Sequence, residues 1–182
     1  MTTILGQFVS MTFANQLKRS LVEQHGEKIV HPRTGAHAYL FPTAEVLSRA
    51  DLTSIKTTKA RKVAIRELSR RVAQNEIDLS PTQDPEQFRQ ALLAIPGIGR
   101  WSAEYIGLRA IGDTDAFPST DLVLKRAVEA HPDLDVERAK PWRGYAAIYL
   151  WKEYAKQPHS GCLRRPISRP RGGHCGEKGN LQ

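Results

Sequence analysis

The chain has 182 residues, 40% of them hydrophobic and 25% charged, which suits one soluble domain with a buried core and is short for two. Its apolar runs fall short of a membrane span. The opening MTTILGQFVSMTF lacks the basic start and small-residue cleavage site of a secretory signal, so a cytoplasmic location is expected. The net charge of +8 favours anionic partners such as nucleic acid. Half of that excess, however, comes from Arg164, Arg165, Arg169, Arg171 and Lys178 against Glu177 alone, all within residues 158–182, so the remainder is only mildly basic.

Ile4, Leu5, Phe8, Val9, Thr12, Phe13, Leu17 and Leu21 recur at steps of three and four, which predicts one helix face closed by Gly26. After the loop HPRTGAHAYLFP, Thr43 is placed to cap a short helix AEVLSRA, and Asp51 to cap another turn. TTKARKVAIRELSRRVAQNEI reads as an amphipathic helix with Val63, Ala64, Leu68 and Val72 inward and a basic, solvated outer face. DPEQFRQALLAI carries a full start signal: Asp84 as cap, Pro85 at the first helical position and Gln87 at capping-box spacing. A second helix follows from Arg100 and a third begins in FPSTDLVLKRA, capped by Ser119, Thr120 or Asp121; AKPWRGYAAIYLWKEYA supplies the last. With no alternating strand pattern and no repeat, the expected fold class is all-α. Residues 158–182 are rich in Gly, Pro and Arg without periodicity and are expected to form a disordered tail; its Cys162 and Cys175 lack metal-ligand spacing and read as incidental thiols.

Between two of these helices lies IPGIGRWSAEY, residues 95–105. Pro96 fixes its own φ and disfavours a helical Ile95, while Gly97 and Gly99 permit positive φ or close backbone approach. A tight hairpin of helices with outward amides is implied. Together with the helix dipole, such amides suit a phosphate of a nucleic-acid backbone, although PGIG alone also describes a plain helix-breaking turn.

The surrounding blocks narrow the choice. LLAIPGIGRWSAEYIGLRA resembles the helix-hairpin-helix of DNA repair glycosylases, and FPSTDLVLKRA follows at the distance where that superfamily keeps its catalytic aspartate. ILGQFVS and KPWRGYAAIYLW resemble further blocks of one branch, the bacterial alkylpurine (3-methyladenine II type) DNA glycosylases. The resemblance runs over residues 3–157 and implies a helix-hairpin-helix glycosylase domain over 1–157. Members of the branch carry an N-terminal domain and further helices before the ILGQ block, so the resemblance also implies a fold incomplete at the N-terminus, and the segment from Asp121 to Lys140 is shorter than usual.

By this resemblance Asp121 is the catalytic carboxylate, and its place at the first turn of a helix agrees, because the dipole and nearby amides favour a negative charge there. Simple N-capping is the alternative. Pro96, Gly97, Ile98, Gly99 and Arg100 would hold the DNA backbone, and Gln7 and Phe8 lie where the family inserts a wedge into the duplex, though Phe8 equally suits a buried helix face. Trp101, Tyr105 and Trp151 match aromatics of the base pocket, where ring faces replace lost stacking and attract a cationic alkylated base; core packing is the alternative. Trp101 stands where strand-cleaving relatives place a Schiff-base lysine, and the four-cysteine iron–sulfur loop is absent. A monofunctional hydrolase of alkylated purines such as 3-methyladenine and 7-methylguanine, acting in base excision repair as a monomer on double-stranded DNA of the nucleoid, is therefore implied. No catalytic cofactor is expected. The resemblance does imply a Na+ or K+ ion on backbone carbonyls at Leu93, Ile95 and Ile98. A catalytically impaired DNA-binding fragment is the other reading.

Overall fold

The computed structural model describes residues 1–7 and 9–156, and these are mostly helical. Phe8, the 158–182 tail and both cysteines lie outside the described residues. In chain order the elements are α1 (Thr2–Gly6), α2 (Met11–His25), β1 (Lys28–Val30), β2 (His37–Tyr39), α3 (Ala44–Arg49), α4 (Lys59–Ala73), α5 (Pro85–Leu93), α6 (Arg100–Ile106), α7 (Leu122–Glu129) and α8 (Arg143–Lys156). A π-helical turn, Gly107–Ile111, extends α6, and a 3-10 turn, Val136–Ala139, precedes α8. No described helix is long and apolar enough to cross a membrane.

Local chemistry sets most of these boundaries. Side-chain oxygens of Thr43, Thr58 and Asp84 accept amides of Val46, Arg61 and Gln87 at the starts of α3, α4 and α5, and each such cap contributes about 1 kcal/mol. Asp51 accepts the Thr53 amide and hydroxyl, making the expected turn.

Three expectations are corrected. The first predicted helix is two: the chain leaves the helix at Gln7, with φ −58° and ψ 125°, and Ser10 restarts it by accepting the Phe13 amide. A short antiparallel hairpin pairs Lys28 with Tyr39 and Val30 with His37; all six strand residues are exposed, so no alternating pattern marked them. On α4, Ile65 is buried while Val63 is 46% exposed, so the inward face is rotated from the expected one.

Two apolar clusters form. The larger draws Ile4 and Leu5 of α1, Leu17 and Leu21 of α2, Leu47, Ile65, Leu68, Phe88 and Leu92 together with Ile95, Ile98 and Ile106. The smaller joins Leu124 and Ala127 of α7 to Ala147 and Leu150 of α8, with Phe117 and Trp151 against it. Each fully buried Leu, Ile or Phe contributes about 1.5–3 kcal/mol of transfer free energy. α6 therefore belongs to one cluster and α7 and α8 to the other, and the site is built where they meet.

Candidate active site

The turn between α5 and α6 is anchored by its apolar residues and presents its backbone. Ile95 and Ile98 are buried, whereas Pro96, Gly97, Gly99 and Arg100 are exposed. The Ile95 amide donates to Leu92 O and the Ile98 amide to Ile95 O, both at 3.0 Å, which winds the turn tightly. Gly97 has φ +91°, and a Cβ there would stand 3.3 Å from Ala60 O and Ala64 Cβ of α4. Only glycine meets both conditions at once. Gly99 begins α6 with no side-chain cap, and a Cβ at this position would meet open space. The first turn of α6 thus has its amides uncovered.

α1 closes one side of this turn. Gln7 Nε2 donates to Ser102 Oγ at 2.6 Å and to Gly97 O at 3.3 Å, and the Arg61 guanidinium donates to Gln7 O. Ser102 is buried and Gln7 half-buried, so the amide reaches the hydroxyl from the lip of the fold.

On α6, Trp101 and Tyr105 are one helical turn apart and stack with centroids 5.3 Å apart and planes 13° from parallel. Tyr105 meets Trp151 of α8 edge-on at 5.7 Å and 62°. Asp121 caps α7, and of the three residues able to do so it is the one the chain uses: Oδ1 accepts the amides of Val123 and Leu124 at 2.9 and 3.0 Å. The same carboxylate accepts both indoles, Trp101 Nε1–H on Oδ2 at 2.9 Å and Trp151 Nε1–H on Oδ1 at 3.1 Å. Four N–H donors therefore converge on one side chain, which a neutral amide or an alkyl group could not satisfy.

Beside the carboxylate opens a cleft of about 590 Å³, lined among others by Gln7, Gly97, Gly99, Trp101, Asp121 and Leu122. Tyr105 stacks on Trp101, and Trp151 meets both Tyr105 and the Asp121 carboxylate, so the three rings form one group with the acid. Leu122, 68% exposed at the mouth, and Ser102 escaped the reading of the sequence. An apolar residue directly after a cap was a signal for Leu122; nothing marked Ser102.

An ionic cluster joins α5 to α6 and to the loop that follows it. Arg89 of α5 pairs with Glu104 of α6 at 3.2 Å, with Asp113 at 2.9 Å and with Glu86. Glu104 is 8% exposed, and burial raises its carboxyl above the ordinary range while Arg89 pulls the other way. Arg143 clamps Asp115 at 2.6 Å and Glu137 at 2.8 Å, tying the loop before Asp121 to α8. Among the described residues no cluster of three or more His, Cys, Asp or Glu is fit to hold a metal.

No family model matches the sequence. The chain is 36% identical over 160 residues to the probable bifunctional transcriptional activator/DNA repair enzyme AlkA of Mycobacterium tuberculosis, covering 81% of this chain and 31% of that protein. It is 31% identical over 163 residues to DNA-3-methyladenine glycosylase 2 of Escherichia coli, covering 85% of this chain and 56% of that one. Over most of its own length the chain is thus similar in sequence to DNA-3-methyladenine glycosylases. It spans 31% and 56% of these two relatives' lengths. Its backbone matches a solved structure of MBOgg1 in complex with a low-affinity DNA ligand, with a TM-score of 0.72 and 25% identity over 85% of this chain and 57% of that one. It also matches the 3-methyladenine DNA-glycosylase of Archaeoglobus fulgidus, with a TM-score of 0.68 and 24% identity over 85% and 56%. The fold is that of the helix-hairpin-helix DNA glycosylases.

Proposed function

We propose that the chain is a monofunctional DNA glycosylase that hydrolyses the N-glycosidic bond of alkylated purines, 3-methyladenine and 7-methylguanine among them, in base excision repair. The observation that carries this reading is the Asp121 carboxylate, held by two helix amides and two indoles at the edge of a cleft beside an exposed, glycine-rich backbone turn.

Pro96 to Arg100 lie along a DNA phosphate, which the uncovered amides of the turn can solvate without reading sequence. The damaged base leaves the stack and enters the cleft against Trp101, with Tyr105 and Trp151 completing the group of rings. A purine alkylated at N3 or N7 is cationic, so the electron-rich face attracts it and the C1′–N9 bond is already weakened. As that bond breaks, its electron pair passes to the base and cancels the base's charge. The sugar becomes oxocarbenium-like, and Asp121 stabilises it and orients water. The water oxygen bonds to C1′ and its proton passes to the carboxylate or to solvent. Trp101 has no amine, so no Schiff base forms and the strand is left intact. Gln7 keeps the lip of the cleft in place, and Phe8, the next residue in sequence, is the wedge that would fill the gap in the duplex.

The carbonyls of Leu93, Ile95 and Ile98 are neutral oxygen donors, and Ile95 O keeps a second lone pair after accepting the Ile98 amide. Such a set fits a singly charged hard cation. Bound there, Na+ or K+ would supply positive charge for a DNA phosphate. The reading implies a monomer acting on double-stranded DNA in the cytoplasm, at the nucleoid.

The test is incubation of the purified chain with methylated DNA and measurement of free 3-methyladenine and 7-methylguanine. Release of both supports the proposal. Tight binding to abasic-site DNA with no base release overturns it in favour of a DNA-binding module.

A further inference from the structure

Seven cations fall between residues 56 and 71: Lys56, Lys59, Arg61, Lys62, Arg66, Arg70 and Arg71. Read from the sequence, those from Lys59 onward form the basic, solvated outer face of one helix. In the structure five of them are occupied within the molecule. Arg61 donates to Gln7 O, Lys62 Nζ to Thr53 O at 2.9 Å, and Arg66 Nε to Ala50 O at 3.0 Å. Arg70 pairs with Glu67 and Glu76, and Arg71 pairs with Glu67 and reaches Ala91 O. Arg61 ties α1 to α4, Lys62 and Arg66 tie in the α3–α4 connection, Arg71 reaches α5, and Arg70 pairs locally, so each already has a partner that a phosphate would have to share.

Lys56 and Lys59 are the two left over. Both are exposed, and neither has a partner among the described residues. Their position singles them out. Lys59 precedes Ala60, whose carbonyl is the backbone against which Gly97 is packed. Arg61, two residues on, holds Gln7, which in turn holds Gly97 and Ser102. The free end of α4 is therefore stitched to the flank of the hairpin turn, at the same rim of the cleft.

We infer that Lys56 and Lys59 form a second contact to the DNA backbone, engaging a phosphate beyond the one at the hairpin, while the other α4 cations serve the fold. This rests on the glycosylase reading above. A lysine that neutralises a phosphate releases condensed counterions, so each adds about 0.9 to the slope of log affinity against log salt.

The experiment measures affinity of the full chain for a duplex carrying a tetrahydrofuran abasic-site analogue, by fluorescence anisotropy from 50 to 200 mM NaCl. Lys56→Gln/Lys59→Gln should flatten the slope by ~1.8, so that wild type loses roughly 12-fold more affinity than the variant over that range. Lys56→Arg/Lys59→Arg should restore the wild-type slope. Arg70→Gln, roughly 16 Å away along the same helix, should leave it unchanged. A double Gln variant that melts like wild type and keeps the full slope overturns the inference while leaving the glycosylase reading intact. A wild-type affinity indifferent to salt overturns both.

Discussion

The indole of Trp101 donates to Asp121 Oδ2 at 2.9 Å, joining α6, whose Ala103 and Ile106 lie in one apolar cluster, to the cap of the first helix of the other. With Trp151 on Oδ1 from α8, the carboxylate is held from both sides.

Asp121→Asn is the sharpest test of catalysis. An amide cannot accept from four N–H donors, and its own NH₂ would face one of them. Base release should fall by about 10²–10³-fold, the cost of removing preorganised charge opposite a developing cation, while affinity for abasic DNA persists. Wild-type release kinetics in this variant would remove Asp121 from the mechanism.

Trp101→Phe keeps a ring in the cleft and deletes the donor to Oδ2. A hydrogen bond to a charged group contributes about 1.5–3 kcal/mol, so single-turnover release should slow by roughly 10- to 100-fold with DNA affinity little changed. Trp101→Ala should weaken binding of the damaged duplex as well, because the face that receives the base is gone.

Gly97 and Gly99 are expected to separate folding from binding. Gly97→Ala forces an L residue to φ +91° against α4, so the melting temperature should drop by the equivalent of about 1–2 kcal/mol or more. Gly99→Ala has room and an ordinary φ of −91°. It should melt like wild type yet bind DNA more weakly, since the added methyl stands over the backbone that the phosphate approaches.

Arg89→Leu strips Glu104 and Asp113, which are 8% and 7% exposed, of their shared cation. Leaving buried carboxylates unpaired costs about 3–5 kcal/mol, which chemical denaturation would register directly. Glu104→Gln should be far milder, because burial already disfavours the charged form of this side chain.

Glu67 governs the acid stability of α4. Hydrogen bonds from Arg70 and Arg71 lower its carboxyl from 4.5 to about 2. A depressed folded value stabilises above the ordinary one and is lost as pH falls through the folded one. Glu67→Gln should therefore melt below wild type at neutral pH, and the gap should close between pH 4.5 and about 2.

What could be read without coordinates followed the range of the interactions. Asp84, Thr43 and the hairpin signal their roles within a few residues, and each stands where its local chemistry puts it. Asp121 was one of three possible caps, and the choice among Ser119, Thr120 and Asp121 is made by two indoles 20 and 30 residues away. The break at Gln7 was invisible for the same reason. The apolar period runs straight through it, and what holds the kink are partners 90 and 95 residues on, with Arg61 behind. Tyr105 and Trp151 could be grouped with Trp101 by type, but how the three rings meet depends on how α6 and α8 cross. The α4 cations looked alike because charge along a helix face says nothing of which distant carbonyls it meets.

The protein has three tryptophans, and two of them end on the same carboxylate while Trp142 is 56% exposed. Two of the three intrinsic indole emitters are thus local to the site and one faces solvent. An aqueous quencher such as iodide would silence Trp142 first, and a Trp142→Phe version would glow only from the indoles that flank Asp121. Occupation of the cleft would then be visible as a change in colour or lifetime, with no label added and no turnover required.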